Sequence, residues 1–128
     1  MRFQVSTDAK TDVVDVTDQV REAVPDGSDG TVTAFVRHTT AGVVVNEAEP
    51  RLLEDIDRFV AGLVPDEGWR HDELDGNADA HLRALLVGPD VTLPVRDGGL
   101  ALGRWQSVLL VECDGPRTRT VDVVVRAD

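Results

Sequence analysis

At 128 residues and 13.9 kDa, the chain has the size of one domain, residues 1–128, with a single core. Hydrophobic residues make up 41% and charged residues 29%, which excludes a mostly apolar membrane protein; no apolar run approaches the ~20 residues of a spanning helix. Twenty-four acidic against 13 basic residues give a net charge of −11, and such a field repels phosphate backbones and excludes general nucleic-acid binding.

Residues 3–5 and 13–16 are short apolar segments expected to be extended. Thr17 is placed to cap a helix through Val24, with Val16, Val20 and Val24 recurring every four residues. Residues 25–30 then read as a turn. From Thr31 to Arg37 the pattern alternates, with Val32, Ala34 and Val36 on one face and Thr31, Thr33, Phe35 and Arg37 on the other, as in a half-buried strand. Residues 42–46 contain Val43-Val44-Val45, a β-branched run expected to be buried on both faces. Pro50 suits the first turn of the next helix, whose apolar stripe is Leu52, Leu53, Ile56, Phe59, Val60 and Leu63. Residues 65–76 form a polar connection long enough to raise a functional question. Asn77 is placed to cap a helix that carries Leu82, Leu85 and Leu86 and stops at Gly88-Pro89. The rest reads as β: residues 91–95, a turn at 97–99, residues 105–112, a turn at 114–116, and residues 118–126. Strands surround two or three helices without regular βαβ alternation, so the expected class is α+β, a compact single domain of mainly antiparallel sheet.

Cys113 is the single cysteine, so neither an internal disulfide nor a thiolate zinc cluster can form. The opening residues lack the cationic and apolar regions of a signal peptide, and a cytoplasmic protein is expected. The acids are 17 Asp to 7 Glu and the bases 12 Arg to one Lys. That bias reads as adaptation to a halophilic cytosol, where salt screens self-repulsion.

Three histidines occur, each in a polar context: His38 after a strand, His71 in the long connection, and His81 one turn into a helix. Three imidazoles make the ligand set of an open metal site, although spacings of 33 and 10 residues match no local zinc signature. Glu47 and Glu112 each end an apolar strand. A carboxylate there is paired, protonated or at the sheet rim, and either is a candidate general base. Asp55 and Asp75 read as solvated. The segment Asp114-Gly115-Pro116-Arg117-Thr118-Arg119 resembles an anion clamp, because two arginines at i and i+2 share a face when extended and each offers a donor fork to phosphate oxygens. Thr39 and Thr40 can add hydroxyl donors. No Walker loop, paired Rossmann glycines or Gly-x-Ser-x-Gly elbow is present.

Taken together these segments resemble one family. His38-Thr39-Thr40-Ala41-Gly42-Val43-Val44-Val45-Asn46-Glu47 is similar to its His-Thr-Ser/Thr-Ala segment ending in Asn-Glu. Gly76-Asn77-Ala78-Asp79-Ala80-His81-Leu82, preceded by His71, is similar to its Ala-His-Leu segment. Gly99-Leu100-Ala101-Leu102-Gly103-Arg104-Trp105-Gln106 resembles its Leu-Gly-Thr-Trp-Gln signature, and Glu112 and a Gly-Pro-Arg-x-Arg end follow. This is the YjbQ-like, or secondary thiamine-phosphate synthase, family. Arg104 stands where threonine is usual, and Ala78-Asp79 departs from the commoner Met-Pro-type wording.

The resemblance implies a compact α+β fold that forms a homotrimer, with His38, His71 and His81 converging on a divalent metal (zinc, magnesium or manganese). It makes Glu47, Glu112 and Asn77 the candidate catalytic residues, with Asp55 also in view, and Thr39, Thr40, Arg117 and Arg119 the candidate phosphate-binding residues. The implied reaction joins a pyrimidine pyrophosphate to a thiazole phosphate and releases pyrophosphate. A metal-dependent hydrolase or lyase of a small phosphorylated substrate, and a non-catalytic metal- or ligand-binding module, are the alternatives. The expected partner is a phosphorylated small molecule, with no role for nucleic acid or membrane.

Overall fold

Alternating apolar residues sort the strands of this chain into two antiparallel sheets, seen in a computed structural model that describes residues 1–128. The strands are β1 (Arg2–Ser6), β2 (Asp12–Asp15), β3 (Gly30–Val36), β4 (Ala41–Asn46), β5 (Asp90–Arg96), β6 (Gly99–Leu100), β7 (Ser107–Glu112) and β8 (Thr118–Ala127). The helices are α1 (Thr17–Glu22), α2 (Pro50–Gly62) and α3 (Ala78–Val87), with a 3₁₀ turn at Arg70–Glu73. One sheet runs β1-β8-β3-β5-β6 and the other β2-β7-β4. No helix is long and apolar enough to cross a membrane.

The period-2 pattern explains the layering. Val32, Ala34 and Val36 of β3 turn inward and meet Val121 and Val123 of β8, Leu93 and Val95 of β5, and Val108 and Leu110 of β7 in one buried core. Val16, Val20 and Val24 bring α1 into the same core. The opposite face of β7 puts Val111 beside Cys113, Val60 of α2, and Ala80 and Ala84 of α3 in a second, smaller core. β7 is therefore apolar at every position from Val108 to Val111, because it is covered on both sides. The Val43-Val44-Val45 run divides as the sequence predicts, Val43 in the first core and Val44 against the second.

Three local expectations are corrected. Thr17 does not cap α1 but is its first residue, and its hydroxyl bonds Asp15 Oδ1 at 2.6 Å while accepting the Val108 N–H at 2.8 Å. Two of the three leucines of α3 do not face inward. Leu85 and Leu86 are 76% and 63% exposed, and the small side chains of Ala80 and Ala84 make the contact instead. The end of α3 also comes close to β4. Gly42 of β4 lies so near the end of α3 that an added Cβ would meet the Gly88 carbonyl and stand 2.6 Å from Val87 Cγ1. The strand expected over residues 105–112 is shorter, since Trp105 lies in an exposed turn and β7 begins at Ser107.

Candidate functional site

One end of the sandwich gathers three connections. The β3–β4 link supplies Arg37 to Thr40, the β7–β8 link supplies Asp114 to Arg119, and the start of α3 supplies Asp75, Asn77 and His81. They enclose a cavity of about 620 Å³ with no apolar residue in its lining. The two links are tied across the floor by the Cys113 N–H, which donates to the Thr40 carbonyl at 3.1 Å.

Beneath the cavity lies a buried ion pair. Arg119 is 2% exposed and Glu112 is 0% exposed. Arg119 Nε donates to Glu112 Oε1 at 2.8 Å, and its Nη2 donates to Glu112 Oε2, Thr40 Oγ1 and the Thr40 carbonyl. Thr7 Oγ1 donates to Glu112 Oε1 at 2.6 Å, and the N–H groups of Cys113 and Asp114 donate to Oε2. Burial pushes the Glu112 carboxyl up, but Arg119, Thr7 and the Asp114 N–H outweigh it and hold it below the ordinary range. A carboxylate so occupied holds a guanidinium in place and has no lone pair to spare for a substrate proton. Arg119 keeps Nη1, which makes no bond within the chain, for the cavity it lines. Cys113 is buried beside the pair and its thiol is pushed up to about 12, first by burial and then by Glu112, so it is no nucleophile at neutral pH.

Asn77 does different work from the cap predicted for it. Asp72 Oδ1 takes the Ala78 N–H at 3.2 Å, so the start of α3 is closed from outside the helix. The Asn77 amide is left to bridge, its Nδ2 donating to Asp114 Oδ2 at 2.9 Å and its Oδ1 meeting His71 Nε2 at 3.1 Å. With Nδ2 turned to a carboxylate, Oδ1 can only accept, so His71 carries its proton on Nε2. His38 is fixed in the opposite sense: its Nε2 accepts the Thr120 N–H at 2.8 Å. Burial first, then Arg119, holds that imidazole below its ordinary pKa, and the neutral ring carries its proton on Nδ1.

The predicted residues thus fall into groups. His38, Thr39, Thr40, Asn77, His81, Arg117 and Arg119 share the cavity. His71 stands behind it, its ring 4.9 Å from that of His81 and edge-on to it. Glu47 follows the far end of β4, a strand whose near end adjoins the cavity, and Asp55 is on α2; neither lines it. Sequence reasoning missed Arg37 and Asp75. The outward face of the alternating Thr31–Arg37 segment carries Arg37, and that alternation was the available signal. Each guanidinium here has a carboxylate companion, Arg37 with Asp122 at 3.4 Å and Arg117 with Asp114 at 3.0 Å. An anion would therefore meet fixed donor forks more than a bare positive field.

The three histidines do not fit a preformed metal seat. His38 has spent its lone pair on Thr120, His71 keeps only Nδ1, and no three His, Cys, Asp or Glu side chains stand within reach of one ion.

Across residues 1–128 the chain matches the model of the UPF0047 protein YjbQ-like family. The chain belongs to that family. A UPF0047 protein of Archaeoglobus fulgidus is 49% identical over 124 residues, 96% of this chain and 98% of that one. The UPF0047 protein YugU of Bacillus subtilis is 33% identical over 124 residues, 92% of each. Among solved structures, APE1520 of Aeropyrum pernix K1 superposes with a TM-score of 0.95 at 44% identity, covering 100% of this chain and 98% of that one. A YjbQ/UPF0047 protein of Clostridium acetobutylicum gives 0.91 at 35% identity, covering 98% and 99%. The YjbQ-like fold is thus carried over the full length of the chain, with both sheets and all three helices.

Proposed function

We propose that this YjbQ-like chain is an enzyme acting on a phosphorylated small molecule, with secondary thiamine-phosphate synthase chemistry as the leading reaction. One observation carries the reading: a cavity without apolar lining that presents Arg37, Arg117, Arg119 and the Thr39 and Thr40 hydroxyls together. In that reaction the thiazole nitrogen forms a bond to the pyrimidine methylene carbon. The carbon–oxygen bond to pyrophosphate breaks, and its electron pair leaves with pyrophosphate. The thiazole nitrogen carries no proton, so no general base is required. The chain's task is to hold the leaving pyrophosphate as its charge grows. Arg119, anchored by Glu112 and Thr40, supplies a donor that needs no reorganisation. Arg117, half-exposed and held by Asp114 through Nε and Nη2, adds Nη1 as a second donor.

Pyrophosphate release from the two phosphorylated precursors tests the reading. Arg117→Ala is expected to cut turnover at least tenfold and leave the melting temperature within a few degrees, since its pair with Asp114 is at the surface. Unchanged turnover in a folded variant would overturn it. Release of phosphate from either precursor alone would favour the hydrolase alternative, and binding without turnover the non-catalytic one.

The divalent ion implied by the resemblance is a separate proposal, motivated by His81 in the cavity lining with the His71 ring 4.9 Å behind it. Elemental analysis of the wild type and His81→Ala decides it: metal lost with His81 means that the histidines gather around the ion on binding, and metal absent from both means that the donor forks act alone. The homotrimer is supported by Phe35, Leu85, Leu86 and Val124, which stay exposed in the single chain. Light scattering in molar potassium chloride, where the −11 charge is screened, is expected to give about three times the mass of one chain; a monomer refutes it.

A further inference from the structure

We propose that Thr7 is a positioning residue that sets the spacing between the two arginine donors of the β7–β8 link. This rests on the anion reading above and concerns how the donors are held. Thr7 comes directly after β1, is 5% exposed and does not line the cavity, so it acts on a ligand only through other residues. Its N–H donates to the Arg117 carbonyl at 2.8 Å, and its Oγ1 accepts the Arg117 N–H at 3.0 Å. The same hydroxyl has one proton to give. Glu112 Oε1 lies 2.6 Å away and the Arg117 carbonyl 3.1 Å away, and the carboxylate takes the proton because it is charged and nearer. Glu112 in turn holds Arg119.

One oxygen atom therefore ties the backbone of Arg117 to the counter-charge of Arg119. The Nη1 groups of both arginines make no bond within the chain, and the distance between them is set from behind by that atom. The link is pressed onto the junction. A Cβ on Gly115 would stand 2.9 Å from Thr7 Oγ1, 2.8 Å from Glu112 Cγ and 2.2 Å from the Ala9 carbonyl oxygen, so no side chain fits between them. The Gly115 N–H donates to the Lys10 carbonyl at 3.0 Å, which extends the support to residues 7–10. Valine in place of Thr7 would fill the same volume without the hydroxyl. The Arg117 N–H would then lose its acceptor and Glu112 one donor, and both donor groups would be free to shift. Two donors act on one ligand only when each is held within about 0.5 Å of its place.

Calorimetric titration of the intact protein with inorganic pyrophosphate and with orthophosphate tests this. Pyrophosphate bridges two donors, whereas orthophosphate on a single donor does not sense their spacing. Thr7→Val is expected to weaken pyrophosphate about tenfold and orthophosphate by less than about threefold. Thr7→Ser, which returns the hydroxyl, is expected to restore the wild-type ratio of the two affinities. Thr7→Ala is titrated alongside, and the melting transition of every variant is recorded. A hydroxyl that only stabilised the fold would lower the melting temperature and leave the ratio unchanged, and that result overturns the proposal. So does a serine that fails to restore the ratio, or failure of both hydroxyl-free variants to fold. In each of these cases binding of pyrophosphate by the wild type leaves the anion reading standing. If the wild type binds neither anion, the anion reading falls and takes this one with it.

Discussion

Replacing Arg119 by alanine is expected to lower the unfolding free energy by about 3–5 kcal/mol, because it leaves a buried carboxylate without its counter-charge. Glu112 would keep Thr7 and two backbone N–H groups, but those donors are neutral. Urea titration at pH 7 measures the loss, and a value under about 1 kcal/mol would mean that the pair is solvated. The pH dependence follows from the direction of the shift. The wild-type Glu112 carboxyl lies below its ordinary value, so the pair's contribution is full above that value and fades as pH falls through the folded one. In the variant burial prevails, Glu112 takes up a proton at higher pH, and the gap between the two proteins narrows on acidification. A gap that widened would show the account to be wrong.

An effect of similar size is expected at Arg83, which does not line the cavity. Its Nε donates to the Val60 carbonyl at 2.9 Å, its Nη2 to the carbonyls of Ala61 and Val64 at 2.7 and 2.8 Å and to Asp66 Oδ1 at 2.8 Å, and its Nη1 to Asp79. The side chain is thus the cap of α2, which has no basic residue in its own last turn. Arg83→Met keeps the volume and removes every donor. It takes the donor from the Ala61 and Val64 carbonyls, while that of Val60 keeps the Leu63 N–H, and leaves buried Asp79 to Lys10 alone, at 2.9 Å. The expected loss is about 3–5 kcal/mol, and faster amide exchange at the residues after α2 would localise it. A loss spread evenly over the chain would not fit.

The two clusters also show where the sequence stops being legible. Period 2 marks Val32, Ala34 and Val36 as inward, and they do turn into the core, because strand alternation is a local property. Pro50 opens α2 for an equally local reason. The histidine, asparagine and arginine motifs were visible as types, and seven of the residues singled out share one cavity. Their partners were not visible. Nothing local tells that Glu112 will meet Arg119 and Thr7, or that Asp72 will close α3 and release Asn77, since those contacts depend on which links the sheets bring to one end. The leucines of α3 misled for a related reason. Hydrophobicity singles out Leu85 and Leu86, whereas it is Ala80 and Ala84 that pack with Val60 and Val111.

The bond between His38 and Thr120 couples this site to the sheet in an unusual way. β3 and β8 pair by backbone through Val36 and Val121, and the Arg37 N–H still reaches the Thr120 carbonyl at 3.2 Å, but an imidazole takes the place of a strand carbonyl in receiving the Thr120 amide. Whatever occupies that nitrogen, a proton in acid or an ion in the cavity, must release the Thr120 amide to solvent. Because burial and Arg119 hold His38 below its ordinary pKa, this last rung is intact at neutral pH and opens only as the solution becomes acidic. A single amide proton on β8 is therefore a built-in gauge of the protonation state of the imidazole.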